Sequence, residues 1–165
     1  MAPGKKLITE EKAKLKMADL CARSEQCEYD ILQKLIKMRL PSAIRENIIR
    51  FLKDERFIDE ERYARCFAKD KCRFSAWGPF KIRQALALKR IKGTTIAEAL
   101  EAIDDKDWKE AIDKAATTKI RLTKDFDAKD YESKMRLYKY LLSRGFTSKQ
   151  ISSALQRLQE LKKNE

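Results

Sequence analysis

Nine cations crowd the middle of this chain, and their types and spacing define the chemistry open to it. Arg62, Arg65, Lys69 and Arg73 follow one another at intervals of three, four and four residues. On a helix that spacing brings all four to one narrow face. Lys81, Arg83, Lys89, Arg90 and Lys92 follow in the same stretch. A stripe of one sign repels itself and offers no intrahelical pairing, which favours an anionic partner over a merely solvated face. Guanidinium groups pair in bidentate fashion with carboxylate or phosphate. The chemistry on offer is recognition of an anion. Whether that anion is a DNA backbone or an acidic protein groove stays open from the sequence.

Bond-making chemistry has little to work with. The 165 residues contain no His. Gly78, Gly93 and Gly145 are far apart in the chain, so neither a P-loop nor a dinucleotide turn can form. Asp54, Glu55, Asp59, Glu60 and Glu61 cluster without the loop pattern of a calcium site, and helix capping and dipole compensation account for them. Cys21, Cys27, Cys66 and Cys72 lack zinc-ligand spacing. Cys66 and Cys72, six apart on a predicted helix, point to different faces and cannot bridge. All four are expected to be small buried apolar residues. No catalytic residue, metal or cofactor follows, and the chain is not expected to be an enzyme.

Composition points the same way. Thirty-eight Lys and Arg against 26 Asp and Glu give a formal charge of +12, a field that attracts polyanions. Helix formers dominate, with only four Gly and three Pro, which predicts an all-α fold. No apolar run reaches the length that crosses a bilayer. The start, Met1 to Lys16, is charged and lacks the apolar core of a signal peptide, so a cytoplasmic location is expected.

The elements that must position the cations repeat. Ile44, Ile48 and Phe51 fall at spacings of four and three, as do Ile96, Leu100 and Ile103, and again Ile151, Leu155 and Leu158. Each phrase follows an apolar helix ending near a basic residue: Arg39, Arg90 and Arg144. Such a pattern predicts tandem helical units that bury their apolar faces against one another. The expected organisation is a tail over 1–8 and helical repeats over 9–56, 57–104 and 105–165.

Within these repeats the caps are readable. Thr9 opens a first helix running to about Arg23, and Ser24 is expected to cap a second with the stripe Cys27, Ile31, Leu35 and Met38. Pro41 starts a third. Asp59 caps a helix whose apolar face carries Tyr63, Phe67 and Phe74. Gly78 and Pro79 start another, with Ile82, Ala85 and Leu86 inward. Gly93, Thr94 and Thr95 are expected to form a turn. Trp108, Ile112 and Ala115 mark the next helix, with a polar loop over 123–130. Tyr131 to Ser143 carries a predicted stripe of Met135, Tyr138 and Leu142. Gly145 suits a left-handed C′ position, and Thr147 with Gln150 forms a capping box. Residues from Lys162 onward are expected to fray.

The aromatic residues have two readings. Trp77 and Phe80 flank Gly78-Pro79 and are expected to pack between helices rather than to stack on a partner. Tyr131, Tyr138 and Tyr140 mix with Lys134, Arg136 and Lys139 in a manner suited to single-stranded nucleic acid. Tyr138 fits the apolar stripe better.

One segment is more specific than the rest. Phe57-Ile58-Asp59-Glu60-Glu61-Arg62-Tyr63-Ala64, then Trp77-Gly78-Pro79-Phe80-Lys81-Ile82-Arg83-Gln84-Ala85-Leu86 and Lys89, resembles the central repeat of the RecX family of bacterial recombination regulators. Ala18 to Arg23 and Ile31 to Leu35 are similar to that family's first repeat, and Lys139 to Leu158 to its third. The family often carries Gly at the position of Arg90, so Gly93 is expected to shape that helix end instead. It often carries Ser at the position of Cys27.

The resemblance implies three tandem three-helix repeats in an elongated, curved array. It also implies a protein that binds the RecA recombinase filament on DNA and suppresses its ATPase, coprotease and strand-exchange activities, in recombination, repair and the SOS response. The DNA, single-stranded or duplex, would be met directly or through the filament, and a monomer fits a groove-binding role. The alternative is a general basic DNA-binding helical module without a recombinase partner.

Overall fold

The structure, a computed structural model, describes residues 7–163. Among these, all regular structure is α-helical: α1 Glu10–Arg23, α2 Glu28–Lys37, α3 Ser42–Asp54, α4 Glu60–Arg73, α5 Pro79–Leu88, α6 Gly93–Glu101, α7 Asp105–Leu122, α8 Tyr131–Ser143 and α9 Ser148–Lys163. Leu7 and Ile8 precede the first helix, and the rest of the expected tail lies outside the described residues. At the other end α9 continues through Lys163, beyond the point where fraying was expected.

Packing runs in three consecutive sets. α1 and α2 each pack on α3; α4, α5 and α6 pack on one another; so do α7, α8 and α9. Packing of α4 on α7 joins the second set to the third. The apolar interior is nevertheless divided in two. Met17, Ile31, Leu35, Ile48, Leu52 and Ile58 belong to a core under α1–α3. Tyr63, Ile82, Leu86, Ile112, Leu141, Phe146 and Ile151 belong to one continuous core shared by α4–α9.

Local signals fixed most helix starts. The Thr9 hydroxyl accepts from Lys12 N–H, and the Asp59 carboxylate accepts from Arg62 N–H at 2.9 Å. Thr147 and Gln150 close a reciprocal box at 2.9 and 3.1 Å. Gly78 precedes α5 with Pro79 at its first position. Two starts differ by register. Pro41 is the residue before α3 rather than its first, and Gly93 opens α6 instead of sitting in a turn.

The expected Ser24 cap on α2 is not made. α2 begins after Cys27, whose side chain caps nothing; the Glu28 N–H donates instead to Glu60 Oε1 at 3.0 Å. A carboxylate from α4 thus caps a helix of the first set.

The middle helices end alike. Arg39 has φ 58°, Arg90 φ 61° and Gly145 φ 92°. Each lies at the C′ position, where the left-handed conformation closes a helix. Arg90 itself therefore turns the chain, and Gly93 has no part in it. The residue of the third set matching Arg39 and Arg90 is Gly145, one beyond Arg144.

Three apolar assignments shift. Phe74 is 76 % exposed, and α4 buries Tyr63, Ala64, Ala68 and Cys72. α8 buries Ser133, Leu137 and Leu141, while Leu142 is exposed and Met135 and Tyr138 are half-buried. Two stripes of similar hydrophobicity overlap on that helix, and contact with α7 and α9 selects between them. Of the cysteines, Cys27 and Cys72 are buried, Cys21 is half-buried and Cys66 is exposed.

Candidate functional site

Arg62, Arg65, Lys69 and Arg73 on α4 do not form a free stripe. Arg62 Nε donates to Glu25 Oε1 at 2.6 Å, and its Nη2 donates to the Arg56 carbonyl at 3.1 Å. It therefore ties α4 to the loop between α1 and α2. Arg65 pairs with Glu61 one turn back at 3.2 Å. Arg73 reaches α7 through a fork on Asp107, with contacts of 3.0 and 3.3 Å. Of these four, only Lys69 forms no ion pair among the described residues. The expectation of a self-repelling stripe missed Glu61 and the partners on other helices, which are invisible to helical spacing.

The second group divides similarly. Lys89 Nζ bridges to both oxygens of Asp30, at 2.7 and 2.9 Å, and Arg90 lies 5.2 Å from the Tyr29 ring centre. Both reach back to α2. Lys81 sits 4.7 Å from the Trp77 ring centre, and Lys71 sits on the same ring at 4.8 Å. Arg83 and Lys92 are exposed and unpaired among the described residues. Lys89, Arg90 and Lys92 meet Lys53, Glu28 and Glu60 in an open cleft of about 620 Å³ at the junction of the first two sets. Burial raises the Glu60 carboxyl above its ordinary range, against the lowering effect of the Glu28 N–H.

The two junctions are built differently. Between the first and second sets the links are polar: Arg62 with Glu25, Lys89 with Asp30, and Glu60 with the α2 backbone. Cys27 and Tyr29 add the apolar part. Between the second and third sets the shared core continues, and backbones touch. Gly78 N–H donates to the Arg144 carbonyl at 2.7 Å, and Phe80 N–H donates to the Gly145 carbonyl at 2.9 Å. Unpaired amides at the start of α5 satisfy unpaired carbonyls at the end of α8. Arg144 also donates to the Ser75 carbonyl. The two glycines, remote in sequence, meet here: a Cβ on Gly78 would lie 2.3 Å from the Gly145 carbonyl carbon.

The aromatic residues split. Trp77 packs edge-on against Phe67 at 6.4 Å, as a corner residue should, but Phe80 is 61 % exposed. The Tyr138 hydroxyl donates to Ser148 Oγ at 3.1 Å, and Lys119 lies over Tyr140, leaving Tyr131 as the exposed tyrosine of α8. Among the described residues no group of Cys, Asp and Glu could hold a metal ion, and no helix is long and apolar enough to cross a membrane.

A family model described as RecX, second three-helix domain, matches residues 59–100. The regulatory protein RecX of Vibrio campbellii is 32 % identical over 136 residues, covering 82 % of this chain and 84 % of that one. The regulatory protein RecX of Clostridium perfringens (strain 13 / Type A) is 26 % identical over 136 residues, which span 63 % of its length. A crystal structure of regulatory protein RecX superposes with a TM-score of 0.76 at 25 % identity, covering 87 % of this chain and 70 % of that chain. RecX from Lactobacillus salivarius gives 0.76 at 22 % identity over 91 % of this chain and 96 % of its own, a likeness of fold.

Proposed function

The chain belongs to the RecX family of regulatory proteins, and from that premise we propose that it binds the RecA–DNA nucleoprotein filament and inhibits the recombinase. Hydrolysis of ATP, strand exchange and coprotease activity would fall together, in recombination, repair and the SOS response. The observation that carries this reading is positional. All nine candidate cations lie inside residues 59–100, the segment that the family model matches. The protein would have no catalysis of its own. Its repeats, bounded near 9–56, 57–104 and 105–165, would each contribute weak contacts that sum along several recombinase protomers.

The nine cations take two roles in this proposal. Arg62, Arg73 and Lys89 hold the sets of helices in fixed relation, with Lys81 and Arg90 seated on aromatic rings. Lys69, Arg83 and Lys92, with Arg65 on its exposed pair, are left to meet the filament. The test is hydrolysis of ATP by the cognate recombinase on single-stranded DNA, with this protein titrated in. Wild-type protein should suppress hydrolysis. The Lys69→Glu, Arg83→Glu, Lys92→Glu triple variant should lose that effect while keeping its helical circular dichroism. Full inhibition by the triple variant would remove these side chains from the contact.

The +12 charge favours a second reading, a general DNA-binding module. Binding to naked DNA would then weaken steeply as salt rises, with a slope set by the phosphates neutralised. Tight binding only in the presence of recombinase would reject it.

A further inference from the structure

We propose that the groove between α1 and α2 is a docking site for an acidic, amphipathic peptide segment of a partner protein. The site lies outside the nine cations discussed above and stands independently of them. In the second and third sets every pair of helices packs; in the first, α1 and α2 pack on α3 but scarcely on each other. The gap they leave is a groove of about 430 Å³. Its floor is apolar, with Met17 buried and Leu20 and Met38 half-buried. Thioether side chains adapt to varied apolar anchors.

The rim selects the occupant. Lys16 on α1 faces Lys34 and Lys37 on α2 across this floor; all three are exposed and form no ion pair among the described residues. The last-turn position of Lys34 and Lys37 offsets the α2 dipole. That does not account for Lys16 on the opposite wall, or for the open floor. Nucleic acid fits poorly. No aromatic ring lines the groove for stacking, and its one guanidinium, Arg23, is held by Asp19 at 2.7 Å. A helix or strand with Leu or Phe anchors on one side and Glu or Asp on its flanks satisfies both floor and rim.

The probe is a fluorescein-labelled helical peptide of Leu and Glu, patterned to place Leu on one face, titrated into the whole protein and followed by anisotropy. The control has the same composition with the pattern scrambled. Saturable binding is expected, about tenfold tighter for the patterned peptide and about tenfold weaker for the Lys34→Glu, Lys37→Glu variant. Leu20→Asp should also abolish it, with circular dichroism confirming that both variants fold. Binding should survive Lys69→Glu. Equal affinity for the scrambled peptide would overturn the proposal, since charge alone would explain it. So would absence of peptide binding, whether the groove instead retains oligo-dT that Lys34→Glu, Lys37→Glu releases or holds a second copy of the chain that Leu20→Asp dissociates in sedimentation.

Discussion

Arg62 carries a lesson about single residues. Its place in a cationic stripe suggests a contact for a partner, yet its guanidinium is already engaged by Glu25 and a backbone carbonyl. Charge reversal there would damage the first junction and any contact with the filament together. Lys69, unpaired among the described residues, is a cleaner probe. Protonation gives a second residue-scale effect. Burial pushes the Cys27 and Cys72 thiols from 9.0 up to about 11, and raises the Tyr63 hydroxyl as well. The folded state then holds these protons more tightly than the unfolded one. Their contribution is fully present below the unfolded thiol value and is lost as pH rises through the folded value. Thermal midpoints should therefore fall between about pH 9 and pH 11. The Cys27→Ala, Cys72→Ala variant should show a shallower fall over that range; an unchanged slope would place the pH dependence elsewhere.

At the scale of elements, glycine substitutions separate helix propensity from close packing. Gly93 opens α6 with nothing within 4 Å of where a Cβ would stand. Gly93→Ala should be neutral or stabilise by up to about 1 kcal/mol, because Ala loses less backbone freedom on folding. Gly78 and Gly145 differ. A Cβ on Gly145 would fall 2.4 Å from Lys81 N, at a φ of 92° that L-residues rarely adopt. Ala at either position must separate α5 from α8 and break the Gly78 and Phe80 hydrogen bonds. A loss of about 2–4 kcal/mol is expected for each in urea unfolding, comparable to a disrupted core contact. Additive losses in the double variant would contradict a single shared contact.

At the scale of the molecule, the divided core predicts divided cooperativity. α1–α3 enclose their own apolar cluster and meet α4–α6 chiefly through ion pairs and one borrowed cap. α4–α9 share one interior. Unfolding should show two transitions, one for α1–α3 and one for α4–α9. Leu52→Ala should lower the first and Leu141→Ala the second, each by about 2–5 kcal/mol. Raising the salt concentration should loosen the first junction more than the second, since partly exposed ion pairs are screened and apolar contacts are not. A single transition shifted equally by both variants would show that the polar junction transmits full cooperativity.

The helices and most of their ends were legible in the sequence because local forces set them. Thr9, Asp59, Thr147 with Gln150, and Gly78-Pro79 act within a turn of themselves, and a periodic apolar stripe needs only its own helix. The central motif from Phe57 to Lys89 likewise carried the family. What the sequence could not disclose was anything settled between helices. It could not show that Glu60 would cap α2 in place of Ser24, or that Leu137 and Leu141 would be chosen over Met135 and Leu142 on α8. Nor could it show that four of the nine cations, Arg62, Arg73, Lys89 and Arg90, would be taken up by partners 30 or more residues away. Arg90 in a left-handed turn belongs with these, since packing of Ile91 into the core holds a conformation that local preference alone disfavours. The chain by itself determined a basic, all-α array. Only the tertiary structure decided which charges hold that array together and which are left to act, because a salt bridge depends on where side chains meet in space and not on their spacing along a helix.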